Sequence, residues 1–124
     1  SVHALDLDRL RQPGIRFWTA WTDDATLAAT AALKVLDADH AELTSMRTAA
    51  SLRGQGIAAR TLAYVMSEAR TAGHRRLSLE TGSPPFSAPA RTLYARHGFE
   101  ECGPFGGYRV DPSSCFMTRA LDGA

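Results

Sequence analysis

Lysine is nearly absent from this chain: Lys34 stands alone against thirteen arginines. Cysteine is scarce too, with two in 124 residues, and neither charge is in strong excess. Each shortage removes a class of protein. A formal net charge of +1 argues against a dedicated nucleic-acid binder, which would carry a clearly basic surface. The arginine excess reflects genomic bias as easily as phosphate binding. No stretch approaches the ~18 consecutive apolar residues of a membrane helix, and no charged-then-apolar leader opens the chain. No membrane partner is expected, therefore, and the cytoplasm is the expected compartment. Cys102 and Cys115 fall in separate strand-like segments, without the close spacing or histidine company of a metal site, so no metal is expected. Buried free thiols are the first reading of the pair; a disulfide or a nucleophile is the second. With 44% hydrophobic and 22% charged residues, the chain reads as one globular domain, residues 1–124, with a single modest core.

What is present centres on Arg53-Gly54-Gln55-Gly56-Ile57-Ala58. A strand-like stretch, His40 to Thr48, precedes it. Apolar or small residues follow at Ala58, Leu62, Val65, Met66 and Ala69, a spacing that marks one face of a helix. A helix N-terminus offers backbone N–H groups without helical partners and about half a positive charge. Glycines beside it let an anion approach the backbone closely. The stretch reads as a phosphate-binding turn, with a plain tight turn as the alternative. No Lys-Ser or Lys-Thr follows the glycines, so a nucleoside-triphosphate loop is excluded. Ala59 stands where a dinucleotide fingerprint needs its third glycine.

Taken in order, Leu5, Leu7 and Leu10 suggest a short helix within Ser1–Gly14, ended by Pro13-Gly14. Ile15–Thr22, Leu27–Leu36 and His40–Thr48 then read as three strands, and their short connections imply an antiparallel meander. The helix after the turn ends near Gly73. Arg75–Thr81 alternates apolar and polar residues as a strand does, which implies a parallel β-α-β crossover. Ser87–His97 is expected to be a second helix, with Pro89 in its first turn, Gly98 as its left-handed stop and Phe99 packing back. Two strands close the chain near Glu100–Gly103 and Cys115–Ala120. The fold class is α/β with a mixed sheet: a meander, then β-α-β-α-β-β.

This order, together with Arg53-Gly54-Gln55-Gly56-Ile57-Ala58 and Leu93-Tyr94-Ala95-Arg96-His97-Gly98-Phe99, resembles the GCN5-related N-acetyltransferase (GNAT) family. The first motif is similar to the family's R-x-x-G-x-G/A pyrophosphate signature, and the second to its L-Y-x-x-x-G-F helix end. The likeness covers about Arg16 to Leu121. It implies an acyl-CoA N-acyltransferase fold whose strands splay after the meander, with acetyl-CoA as co-substrate and an amine as acceptor. Residue by residue, it implies that Met46, Arg47 and Thr48 pair with the pantetheine arm. It also implies that the amides of Arg53, Gly54, Gln55, Gly56, Ile57 and Ala58 hold the pyrophosphate. Tyr94 matches the tyrosine that protonates the departing thiolate. The chemistry is feasible, because a phenol of pKa about 10 and a thiol of about 8.5 are close in basicity. A core aromatic is the other reading of Tyr94.

The attacking amine must lose a proton, and Glu42 is the candidate base, because the family often places a glutamate on this strand. Glu80 or a water relay is the alternative, and a polar-face residue or a partner of an arginine is the bland reading of Glu42. His40, His74 and His97, at element ends, read as solvated. Two departures from the family stand out. Only Ser1–Gly14 precedes the meander, so the family's N-terminal strand and helix, and much of the acceptor-side wall, are expected to be missing. The loop Ser83–Ser87 lacks the asparagine that many members use on the cofactor, and Ser87 is the candidate substitute. The expected function is an N-acetyltransferase that passes the acetyl group of acetyl-CoA to a primary amine of a small molecule or protein by direct attack in a ternary complex. A non-catalytic coenzyme A-binding module is the alternative. A homodimer through the meander edge, Trp18 or Trp21 is a further possibility.

Overall fold

A computed structural model of the chain describes residues 13–83 and 87–121. Most of the short helix expected before Gly14 lies outside these residues. Three strands come first: β1 (Ile15–Trp21), β2 (Leu27–Val35) and β3 (His40–Thr48). They pair consecutively and antiparallel, as short turns require. A single 3-10 turn, Ala50–Leu52, leads to α1 (Ile57–Thr71) and then to β4 (Arg76–Gly82). Next come α2 (Ala88–Arg96), β5 (Glu100–Cys102) and β6 (Ser114–Ala120). The six strands lie in the order β1-β2-β3-β4-β6-β5, with β3 and β4 the parallel pair. β6 is inserted between β4 and β5, a placement that sequence order alone does not reveal.

Both helices end in the same way, and the residues explain it. Gly73 and Gly98 take φ of 91° and 86°, which side chains bearing a Cβ rarely adopt. After each glycine the next N–H reaches back to the last turn: His74 N–H to Ala69 O at 3.0 Å, and Phe99 N–H to Tyr94 O at 3.0 Å. In α2 the apolar contact of this motif is also made, since the Phe99 ring meets Tyr94 edge-on at 5.7 Å. The L-Y-x-x-x-G-F pattern is thus a helix stop with its own packing. Pro89 sits in the first turn of α2, where its missing N–H costs nothing.

The core lies under the helices. Leu62, Val65, Met66 and Ala69 of α1 are buried against Ala31 and Leu33 of β2, Ala41 and Leu43 of β3, and Leu77 and Leu79 of β4. Tyr94, Phe99, Met117 and Leu121 extend this layer. Side chains alternate along each strand, so Glu42, Ser78 and Phe116 face the other side of the sheet. Several expectations need correction. His74 is buried, not solvated, because its N–H closes the α1 stop and draws it beneath the helix end. His40 and His97 are half-buried and hydrogen-bonded, to Ser78 Oγ and Leu93 O. Cys102 and Cys115 are free, but half-buried rather than buried. Burial pushes both thiols up from their ordinary value, which keeps them protonated and poorly nucleophilic. Trp18 is turned inward, edge-on to Tyr64 at 6.0 Å, whereas Trp21 is 60% exposed.

Leu62 is fully buried, so Leu62→Ala removes a side chain and leaves a cavity that the sheet cannot close. Urea unfolding is expected to show a loss of about 3 kcal/mol. Val110→Ala, at an exposed site, should stay within about 0.5 kcal/mol of wild type.

Candidate functional site

The site begins where β3 and β4 part. They pair at His40–Arg76, Ala41–Leu77 and Glu42–Ser78, and there the ladder stops. Beyond that point β3 stays paired with β2 to Thr48, and β4 stays paired with β6 to Gly82. The inner edges of Leu43–Thr48 and Leu79–Gly82 therefore carry no strand among the described residues. A bulge marks the divergence. Leu33 faces Leu43 but Ala32 faces Ser45, so Thr44 is the extra residue. Such an insertion bends its strand and adds twist. The Thr44 hydroxyl donates to Ala32 O at 3.2 Å, repairing part of the interrupted ladder.

Met46, Arg47 and Thr48 form the end of this free-edged strand, with the Met46 side chain against the core and Arg47 exposed. The chain then turns through Ala50–Leu52 into Arg53, which is extended and exposed. Gly54 and Gly56 take φ of 81° and 77°, and a Cβ on either would meet nothing within 4 Å. What demands glycine here is backbone conformation, and the space outside both residues is open. Gly56 occupies the N-cap position of α1, yet no side chain caps the helix and no acidic residue stands in its first turn. Among the described residues, no capping side chain or first-turn carboxylate competes for the N–H groups of Gly56, Ile57 and Ala58.

Tyr94 rises from α2 into the core beside Ala90 and Leu93. Burial alone pushes its phenol up to about 12, so it holds its proton at neutral pH. Ser87 occupies the N-cap position of α2, but its hydroxyl does not cap the helix, because its backbone is already helical.

Glu42 lies on the opposite face of the sheet, 4% exposed, at the last pair before the strands diverge. Its Oε2 accepts a hydrogen bond of 2.6 Å from Tyr108 Oη. Its partner is thus a tyrosine, not the arginine that composition suggested. Glu80 sits two residues past Ser78 on the same face and accepts from Ser114 Oγ at 2.7 Å. A polar chain runs beside them: His40 Nε2 to Ser78 Oγ at 2.6 Å, and Ser78 Oγ to Thr118 Oγ1 at 2.8 Å. Burial holds His40 below its ordinary value and outweighs the upward pull of Asp37, which favours the neutral ring. A cleft of about 680 Å³ opens on the helix side between α1 and β1–β2. It touches the glycine turn through Gln55 and Ile57 but includes neither carboxylate. Tyr108 and the Thr44 bulge had no signal in the sequence beyond the glycines before Tyr108.

The profile of the acetyltransferase (GNAT) family matches residues 2–99. The chain belongs to the GNAT family. It is 50% identical over 121 residues to the uncharacterized N-acetyltransferase YsnE of Bacillus subtilis (strain 168), covering 98% of this chain and 80% of that one. It is 43% identical to the uncharacterized N-acetyltransferase YedL of Escherichia coli (strain K12), covering 98% and 76%. A Klebsiella pneumoniae crystal structure assigned to the acyl-CoA N-acyltransferases superposes with a TM-score of 0.85 at 26% identity, covering 96% of this chain and 81% of that one. The mixed α/β sheet with two helices is the GNAT fold, and the chain is an acetyl-CoA-dependent N-acetyltransferase. Among the described residues, no helix is long and apolar enough to cross a membrane.

The raised Tyr94 phenol has a consequence for stability. A tyrosine that ionises near 10 unfolded and near 12 folded keeps its proton longer in the native state. Its contribution is complete below about pH 10 and is lost as pH rises toward 12. Urea unfolding at increasing pH should show wild type losing more stability across this window than Tyr94→Phe. Parallel curves for the two proteins would mean that the phenol ionises freely in the folded state.

Proposed function

We propose that this GNAT enzyme transfers the acetyl group of acetyl-CoA to a primary amine of a small molecule or protein, by direct attack within a ternary complex. One observation carries the reading. The free edge of β3 runs directly into an uncapped, glycine-opened helix start, while a buried carboxylate stands at the fork on the other face.

These residues fit the co-substrate. The edge of Met46, Arg47 and Thr48 offers backbone donors and acceptors to the amide groups of a pantetheine arm, as an added strand would use them. The amides from Arg53 to Ala58, with the helix dipole and the Arg53 guanidinium, suit a pyrophosphate. Ser87, whose hydroxyl caps no helix, is assigned a further contact to the cofactor. Acetyl-CoA supplies an activated thioester. The protein's part is to orient it and to place a strand amide near Met46-Arg47 on its carbonyl oxygen, where negative charge develops during attack. Glu42, on the acceptor face, takes the proton of the attacking amine directly or through a water, with Glu80 as the alternative base. Tyr94, whose buried phenol holds its proton up to about 12, hydrogen-bonds the departing sulfur and stabilises it as a thiolate, since outright transfer of the proton to a thiolate of pKa about 8.5 runs uphill. No step asks for a metal.

Calorimetric titration with acetyl-CoA tests the cofactor half. Wild type should bind in the micromolar range, and Arg53→Ala/Gly56→Glu should bind at least about tenfold more weakly while keeping its circular dichroism spectrum. Tyr94→Phe should hold its affinity within about twofold yet turn over a panel of primary amines, from an amino acid to a peptide N-terminus, at least about tenfold more slowly. Wild-type affinity in the double variant would contradict the assigned turn.

A further inference from the structure

The carboxylate at the fork is gripped from a distance of 66 residues along the chain. Tyr108 belongs to the connection between β5 and β6, and that connection is built to hold its ring in place. Gly106 takes φ of 55°, and a Cβ there would come within 3.5 Å of a Leu36 methyl. That distance is an ordinary contact, so what asks for glycine here is the left-handed turn. Two residues on, Tyr108 N–H closes a turn to Phe105 O at 3.0 Å. Its ring packs edge-on to Phe105 at 5.3 Å and tilted against Phe116 at 5.4 Å. Phe105 in turn lies against the His40 ring at 5.8 Å and against Phe116 at 5.8 Å.

The far end of the connection is tied as firmly. Asp111 Oδ1 accepts from the N–H and the hydroxyl of Ser113, both of which hold its carboxyl below the ordinary range. Ser83 donates its N–H to Ser113 O at 3.0 Å and its hydroxyl to Pro112 O at 2.6 Å. Tyr108 is therefore anchored by turn, ring contacts and strand ends. Its hydroxyl occupies one oxygen of Glu42, and the other, Oε1, accepts no hydrogen bond among the described residues.

We infer that Tyr108 is a positioning residue for acetyl transfer: its hydroxyl fixes Oε2 of Glu42 and so reserves Oε1 for the proton of the attacking amine. The inference rests on Glu42 being the base. A short hydrogen bond to a carboxylate is among the stronger ones available to a protein, and here its acceptor Glu42 is buried while the Tyr108 donor is 40% exposed. Freed of it, Glu42 can rotate out of the one arrangement that serves the amine. The Tyr108 hydroxyl only donates this hydrogen bond, and no bond to it forms or breaks in the reaction.

The test compares wild type, Tyr108→Phe and Glu42→Gln. The phenylalanine keeps the aromatic packing and removes only the hydroxyl. The first readout needs no turnover: carbon-13 spectra of the side-chain carboxyls, five glutamates in all, recorded at one fixed pH. The Glu42 resonance, identified by its disappearance in Glu42→Gln, should move in Tyr108→Phe while the other four hold. The second readout is coenzyme A release from acetyl-CoA with 2-phenylethylamine as the acceptor probe, chosen to match the aromatic surroundings of the carboxylate. For Tyr108→Phe, kcat should fall about tenfold with the acceptor KM within about twofold of wild type. An unmoved Glu42 resonance overturns the contact itself. A moved resonance with unchanged kcat overturns the positioning role, and a raised KM alone makes Tyr108 an acceptor-binding residue instead. Wild-type turnover in Glu42→Gln would instead sink the assignment of the base.

Discussion

Three residue pairs hold the two halves of this sheet together. His40, Ala41 and Glu42 of β3 lie beside Arg76, Leu77 and Ser78 of β4, and the ladder ends after them. Beneath the ladder, Ala41 and Leu77 are fully buried under α1. Above it, His40 and Ser78 are joined by a hydrogen bond. A longer ladder would consume the edges of Leu43–Thr48 and Leu79–Gly82 in pairing with each other. A shorter one would leave the meander and the β4-β6-β5 half joined mainly by the helix layer. In the proposed reading the fork is thus the compromise between stability and function, since unpaired backbone beside a buried core is best tolerated where something else can pair with it.

In the proposed reading the two faces of the sheet divide the labour. On the helix face lie the glycine turn, the uncapped start of α1 and the buried phenol of Tyr94. On the other face lie Glu42, Tyr108 and the aromatic pair Phe105 and Phe116. In the proposed reaction the acetyl donor would approach from the first face and the amine from the second, and they would meet in the gap between the strands. Neither reactant would need to displace the other, which is what a ternary complex requires.

Much of this was legible in the sequence, and the division between what was and was not is physical. The α1 face was readable because Leu62, Val65, Met66 and Ala69 recur at helical spacing. The α2 stop was readable because Gly98 and Phe99 interact with residues of the preceding turn. All of these signals are local. The Thr44 bulge was not legible: a strand's alternation shifts by one residue there, and nothing but the partner strand reveals it. Nor was the clamp of Tyr108 on Glu42, because it depends on where β6 inserts and on how a glycine-rich connection folds back over the sheet. His74 shows the same limit in miniature. A histidine just past a helix stop looks exposed in sequence and is buried by the turn that follows the stop.

In the proposed reading the fork and the glycine turn form one continuous binding edge for coenzyme A. Backbone amide spectra of the nitrogen-15-labelled chain, recorded while coenzyme A is added, test it most directly. The largest shifts are expected on Ser45–Thr48 and on Arg53–Ala58, two segments that would face the same ligand from different elements. Shifts confined to the helix-side cleft around Trp18 and Tyr64, with both segments unmoved, would contradict it.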